Sequence, residues 1–466
     1  MHVVIVGNGV AGMEAALTVR ALDPHAKVTL VSEESDHFFS RTALMWVASG
    51  QMSHRDIEPL ERDAYSRHGL TRVRARAVGV DVDDGRLRLL GGETIAYDRL
   101  LVACGSRPRP GPWPGSDLRG VGHFVTLQDL EWYEAELHGG PSHAGGPPRS
   151  DQHLAACPPD SPYRRREVAA RTRGSLSQAP AVIGGGLIGI EAVEVAHARG
   201  LHPRFFIRDE WFWPMAIDAA EAGWITERMR AHGVHVHLEH EVERLEGDAH
   251  GNVARVVTDR GSYDADCAVI AIGVVPNTAW LSGSGVALDH GGGVIVDAQQ
   301  RTNVPNVYAA GDCASVRWVT GAQRPEQLWY TGRDQGRVAA RDLLGDTGPR
   351  ATYARPTWYN SAKLMDIEYT TVGLVNMQQP GEREWFFEER SDVRSTTRIV
   401  YTDAGVIGFN MLGRRWDHSV LAGFIDQGRS LTYALEHLHE AAFDTELVPP
   451  LVLPKERGPH PEFQAH

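Results

Sequence analysis

The sequence predicts an α/β fold in which one strand–glycine turn–helix unit occurs twice and an α+β segment closes the chain. Three observations predict it. HVVIVGNGVAGMEAAL at the amino terminus sets an apolar run before Gly7, Gly9 and Gly12. APAVIGGGLIGIEAVEVAHARG repeats the arrangement in mid-chain with Gly184, Gly186 and Gly189. Beyond residue 350 the pattern changes to strands about turns, EREWFFEER and STTRIVYTDAGVIGFNMLG, and then to one helical run, SVLAGFIDQGRSLTYALEHLHEAAF.

In the first unit a buried strand over residues 3–6 meets a helix from about Val10. Gly7 permits the tight turn, Gly9 lets the backbone approach a pyrophosphate, and Gly12 lets the helix pack on the strand. Free N–H groups and the positive dipole end of that helix suit phosphate. The next strand, KVTLVSEE, ends in Glu33 and Glu34. A carboxylate about 20 residues past the glycines accepts hydrogen bonds from a ribose diol. Glu33 is favoured for this, with Glu34 as the alternative. In the second unit the following strand, HPRFFIRDE, has Ile207 and Arg208 where an acid is expected. An acid there accepts from a free 2′-hydroxyl, whereas an arginine binds a 2′-phosphate, which favours NADPH over NADH. One G-x-G-x-x-G is a turn in any α/β protein. Two, each in strand–turn–helix context, predict two Rossmann-like dinucleotide-binding domains and two dinucleotides, most economically FAD with NADPH or NADH.

Three further segments fill out the pattern: YDRLLVACGSRPRP with Gly105, ADCAVIAIGVVPNT with Gly273, and TNVPNVYAAGDCA with Gly311 and Asp312. Together with the glycine signatures, over roughly residues 1–440, they resemble the two-dinucleotide-binding-domain flavoproteins, the pyridine nucleotide-disulfide oxidoreductase superfamily. The resemblance implies that the chain crosses between nucleotide domains at Gly105 and returns at Gly273. It implies that Asp312 binds the ribityl chain of FAD. It also implies that a helix within EQLWYTGRDQGRVAARDLLG, ending at Gly345, aims its N-terminus at the flavin, with Gln327 and Leu328 closest. Glu191, in GLIGIE, is implied to approach the nicotinamide amide.

Disulfide reductases of this superfamily carry a cysteine pair after the first ribose acid, and the peroxidase and oxidase branch carries one cysteine. Here SDHFFSRTALMWVASGQM holds none. Phe39-Ser40-Arg41-Thr42-Ala43-Leu44 is instead similar to the aromatic–x–Arg–x–x–Leu segment of ferredoxin and rubredoxin reductases and related NADH-dependent reductases. The implied function is an FAD-dependent NAD(P)H:acceptor oxidoreductase. Its acceptor is an iron–sulfur or rubredoxin-like protein, a quinone or a small molecule. Arg41 and Glu191 are the candidate catalytic residues. Arg41 serves the FAD pyrophosphate, an anionic acceptor, or only a surface carboxylate. Hydride transfer itself needs orientation rather than an acid or base. Two alternatives stand beside it: a non-turnover redox-sensing flavoprotein, and a sulfide:quinone-type reductase. The latter needs two of Cys104, Cys157, Cys267 and Cys313 to meet near the flavin. No two cysteines are close in sequence, and those in strand patterns read as buried apolar filler.

The expected organisation is an FAD-binding domain at 1–130 and 270–345, a flexible insertion at 138–178, and an NAD(P)-binding domain at 178–270. A C-terminal interface or acceptor domain at 350–446 and a tail at 447–466 complete it. The net charge of −13 argues against nucleic-acid binding, and no apolar run is long enough for a membrane span. MHVVIVG enters a strand at once instead of forming a secretory signal, so a cytoplasmic location is expected. By resemblance, the C-terminal domain forms a homodimer or receives a redox carrier protein. In GFNMLGRRWDHS, Arg414, Arg415, Trp416 and His418 offer a dock for an acidic carrier. His235 and His237 share a strand face but read as solvated, so no metal is expected. WFWP, at 211–214, packs on the adenine or closes its domain edge.

Overall fold

The computed structural model describes residues 1–138, 178–318, 321–345, 351–390, 394–443, 446 and 449–453. Of the insertion expected at 138–178, residues 139–177, with Cys157, lie outside the described residues, as does the tail beyond residue 453.

The first glycine unit builds a five-stranded parallel sheet, ordered Val307–Ala309, Arg99–Val102, His2–Val6, Lys27–Ser32 and Leu70–Arg74. A parallel sheet covered on both faces needs strands apolar on both sides, and Val3, Val4 and Ile5 are fully buried. One face packs under the helices Val10–Leu22 and Trp329–Leu343. The other lies under a three-stranded meander, Ala77–Asp81, Arg86–Leu89 and Thr94–Ala96.

The second unit repeats the design with His235–His237, Arg204–Phe206, Pro180–Ile183, Cys267–Ile270 and Val121–Gly122, again all parallel. Helices Leu187–Ala198, Ala219–Ala231 and Leu127–His138 share one core with it. Val121–Gly122 pairs with Cys267–Ile270, so the chain has joined the second sheet by residue 121, before the expected boundary at 130. The two crossings run side by side as an antiparallel pair, Ser106–Pro108 against Val274–Pro276. They are the segments that the Gly105 and Gly273 turns precede.

The C-terminal sheet is antiparallel, ordered Tyr359–Leu364, Ile367–Gly373, Gly405–Leu412, Arg394–Thr402 and Arg383–Arg390. The single helix expected after residue 418 is two, His418–Asp426 and Leu431–His437. Gly428 takes the left-handed conformation at φ 60°, and Ser430 accepts from the Tyr433 N–H to start the second helix.

Candidate active site

The two glycine turns are built alike. Gly7 and Gly184 lie at φ 121° and 120°. A Cβ on Gly7 would sit 2.0 Å from the Ala103 oxygen, and one on Gly184 2.4 Å from the Ala271 oxygen. At Gly12 and Gly189 a Cβ would sit 2.1 Å from the oxygen of Gly7 and of Gly184. These four glycines are therefore required by the chain itself. Gly9 and Gly186 are different: a Cβ there would meet nothing within 4 Å. Each is the N-cap of its helix, and neither helix has a side-chain cap. The leading N–H groups thus lack a side-chain partner and the backbone at Gly9 and Gly186 has room beside it, as an anion cradle requires. Helices beginning at Ala219, His418 and Leu431 are capped by Asp218, Asp417 and Ser430, while the short helices Leu44–Ala48 and Ala64–Arg67 are uncapped but carry no glycine turn.

Around the first cradle, the Tyr65 hydroxyl donates to Asn8 at 2.9 Å and accepts from the Phe38 N–H at 2.7 Å, tying the glycine loop to the segment that carries Arg41. Glu33 is exposed at the sheet edge, with Arg76 3.8 Å away. Glu34 is committed elsewhere. It holds Arg41 through two contacts of 2.8 and 2.5 Å and accepts from the Leu127 N–H at 3.0 Å. Burial alone would raise the Glu34 carboxyl, but the Arg41 guanidinium holds it below its ordinary range. Arg41 also donates to the Val125 carbonyl at 2.7 Å, and Asp312 and Asp129 act on the same guanidinium. Arg41 is thus paired with a half-buried carboxylate, Glu34, rather than with one on the surface.

Asp312 follows Gly311, whose φ is 80°, at the carboxyl edge of the sheet, and Ser106 donates to it at 2.8 Å. Burial raises its carboxyl, with Ser106 and Arg41 opposing. Gly105 and Gly273, at φ 66° and 98°, have free space where a Cβ would be. The helix Trp329–Leu343 begins after Gln327, which is left-handed at φ 55°, and has Leu328 as N-cap with no side-chain cap. It therefore starts directly after the Gln327 and Leu328 expected at its N-terminus. Sequence reasoning missed Glu326 and Gln335. Gln335 accepts from the Gly311 N–H at 2.8 Å and donates to Glu326 at 3.0 Å, and Arg355 holds the other Glu326 oxygen at 2.5 Å. The signal was present: Gln335 lies between Gly332 and Gly336 on the small-residue face that packs on the first helix.

Around the second cradle, Ile207 is buried and the Arg208 side chain is 71% exposed. Its contacts with Asp209 and Glu241, at 3.6 and 3.9 Å, are loose. Burial pushes Glu191 up to about 7 and Glu194, on the same helix, up to about 8. Glu194 accepts from the Met365 N–H of the C-terminal sheet at 2.7 Å.

Several expectations change. Cys104 and Cys313 lie near each other: the Cys104 thiol donates to the Asn277 carbonyl at 3.3 Å and the Cys313 thiol to the Val102 and Ala310 carbonyls at 3.3 and 3.4 Å, and the neighbouring thiol together with burial pushes Cys104 up. Both sit in the apolar layer under the first sheet. Arg414 is buried on Glu389 at 2.6 Å and on the Pro449 carbonyl, and Trp416 is buried too, so this pair cannot form the proposed dock. His237 stacks on Phe206 at 4.8 Å, and burial lowers it to about 4. Among the described residues, no group of three or more His, Cys, Asp or Glu could hold a metal ion. WFWP does not stay at its own domain edge: Trp213 meets Tyr369 of the C-terminal sheet at 5.5 Å.

Residues 1–336 match the Pyridine nucleotide-disulphide oxidoreductase family. The chain belongs to that family. Its members use FAD and NAD(P)H, and this pyridine nucleotide-disulphide oxidoreductase is accordingly an enzyme of the NAD(P)H-dependent flavoprotein class. It is 26% identical over 432 residues to the NADH-dependent phenylglyoxylate dehydrogenase subunit epsilon of Aromatoleum evansii, covering 92% of each chain. It is 29% identical over 364 residues to rhodocoxin reductase of Rhodococcus erythropolis, covering 77% of this chain and 75% of that one. Its fold matches the reductase of a covalent putidaredoxin reductase–putidaredoxin complex with a TM-score of 0.76 at 19% identity, over 95% and 98% of the two chains. No helix among the described residues of this oxidoreductase is long and apolar enough to cross a membrane.

Proposed function

We propose that this chain is an FAD-dependent NADPH:acceptor reductase that passes electrons to a small redox carrier protein without a cysteine relay. The observation that carries the reading is the pattern of helix starts. Two helices, after Gly9 and Gly186, begin without a side-chain cap over tight glycine turns that leave open space at those two glycines, and a third begins uncapped after Leu328. When bound, FAD supplies the conversion of a two-electron hydride into electrons for an acceptor.

The residues then divide the work. The Gly7–Gly12 loop takes the pyrophosphate of FAD, Glu33 its ribose, and Asp312, oriented by Ser106, its ribityl chain. The uncapped end of Trp329–Leu343 places positive dipole beside Gln327 and Leu328, which stabilises negative charge on a ring held there. Gln335 fixes the Gly311 turn against that helix. The Gly184–Gly189 loop takes the pyrophosphate of NADPH, and Arg208 its 2′-phosphate. Glu191, whose carboxyl burial pushes up to about 7, is set toward the nicotinamide amide.

Arg41 stands where thiol-using members of the family keep cysteine, which supports direct electron delivery. Rhodocoxin reductase and the ferredoxin reductase component of chlorobenzene dioxygenase bear names that match a carrier-protein acceptor. A water-forming oxidase whose substitutions accompany NADPH use gained an arginine beside a removed aspartate. The same chemical exchange separates Ile207-Arg208 from a strand-end acid. Steady-state kinetics with NADPH and NADH test this. Arg208→Ala is expected to raise the NADPH KM by about tenfold and leave the NADH KM unchanged. Equal NADPH kinetics in the variant would remove the assignment.

A further inference from the structure

We propose that Arg398, on the C-terminal sheet, is a positioning residue for the nicotinamide dinucleotide: it fixes the loop that follows Arg208 and so sets affinity at the adenosine end. The inference rests on the reading that the second cradle holds NAD(P)H. The loop leaves the strand Arg204–Phe206 through Ile207 and Arg208 and enters the helix Ala219–Ala231 at its cap, Asp218. In an open α/β unit that strand end faces the adenosine ribose, so the shape of this loop decides how the adenosine end is met.

Arg398 is fully buried and reaches the loop directly. Its Nη2 donates to the Ala216 carbonyl at 3.0 Å, and its Nε lies 3.6 Å from Asp218 and 3.2 Å from Glu221. Its Nη1 donates to Asn376 at 2.5 Å and to Glu384 at 3.1 Å. Asn376, itself left-handed at φ 58°, donates to the carbonyls of Pro214 and Ile217 at 3.0 and 3.3 Å. Trp211 Nε1 closes the loop on the Ile217 carbonyl at 3.1 Å. The carbonyls of Pro214, Ala216 and Ile217 are therefore gripped by Arg398 and Asn376 of the C-terminal region, in addition to the loop's own bonds from Trp211 and to Trp213.

Stability alone does not account for this arrangement. A buried ion pair is a poor stabiliser beside apolar packing of the same volume. Here one Glu221 oxygen, Oε1, is buried with no hydrogen-bond partner. What a planar guanidinium supplies is a fixed fork that orients several acceptors at once. A lysine keeps the charge and loses the fork.

The test uses the full-length, flavin-loaded protein and anaerobic stopped-flow reduction by NADPH and by NADH. Arg398→Lys and Arg398→Met are compared with Arg394→Ala, which cuts the contact of the same strand with Glu227 at 3.2 Å. Both Arg398 variants are expected to raise the half-saturating concentration of both nucleotides about tenfold, with the limiting rate within about twofold of the parent. Arg394→Ala leaves both parameters unchanged. Should Arg398→Met not fold, Arg398→Lys carries the test. Half-saturation unchanged in Arg398→Lys, or shifted equally in Arg394→Ala, overturns the inference. A parent protein that neither nucleotide reduces sinks the underlying reading and this inference with it, whereas normal reduction with unaffected variants sinks this inference alone.

Discussion

Glycines within one signature do different jobs, and substitution separates them. Gly9 has an ordinary extended backbone at φ −87° and ψ −172° with open space at its Cβ. Gly9→Val is expected to leave the thermal midpoint of the apoprotein within a few degrees while bound flavin falls sharply. Gly7→Ala forces a Cβ to within 2.0 Å of the Ala103 oxygen at φ 121° and is expected to cost about 2 kcal/mol or more of stability. Flavin content against thermal unfolding checks both; the reverse pattern would contradict the cradle. Glu194 makes a pH prediction. Its unfolded carboxyl titrates near 4.5 and its folded one near 8. The folded state thus holds the extra proton between those values. The stability this brings is complete below about 4.5 and is lost as pH rises through 8. Glu194→Gln, which still accepts from the Met365 N–H, is expected to flatten the fall in thermal midpoint over that window. An unchanged slope would show that Glu194 does not carry it. At this scale the sequence was readable for the glycines, because their need is local. It was not readable for Glu34, whose pairing with Arg41 depends on a turn between them.

Helices show why some elements were legible and others were not. The helix Val10–Leu22 starts where expected, since its glycine turn is spelled out in the chain. Trp329–Leu343 starts at the end of its segment where it was expected, but the left-handed Gln327 before its N-cap is a conformation that its residue type does not announce. The C-terminal helical run breaks at Gly428, a glycine inside an otherwise continuous apolar period. The close approach of Trp329–Leu343 to the first helix is testable. A Cβ at Gly336 would lie 2.3 Å from the Ala11 oxygen, whereas one at Gly332 would lie 3.5 Å from its nearest neighbour. Alanine gains about 1 kcal/mol over glycine in an unobstructed helix. Gly336→Ala is nevertheless expected to destabilise by about 1–3 kcal/mol in urea unfolding, with Gly332→Ala near neutral or stabilising. Two variants of equal stability would mean that the helices do not touch as described.

For the whole molecule, the two glycine units and the paired crossings at Ser106–Pro108 and Val274–Pro276 follow from repeated local patterns. The joints between units do not. WFWP, Arg398 and the Glu194–Met365 contact each depend on surfaces brought together by tertiary packing, and nothing in their local spacing encodes it. The same is true of Cys104 and Cys313, which lie far apart in sequence and meet beneath the first sheet. Their meeting satisfies the proximity that a thiol mechanism demands, yet Cys313 is fully buried and the segment carrying Arg41 has no thiol. The decisive measurement is anaerobic reduction of the flavin-loaded protein by NADPH before and after exhaustive thiol alkylation under native conditions. Rapid bleaching of the flavin, and its reoxidation when an acceptor is then added, at the same rates in both samples is the result predicted for two cradles with no cysteine relay; bleaching that NADPH fails to produce, or reoxidation that stops on alkylation, would contradict it.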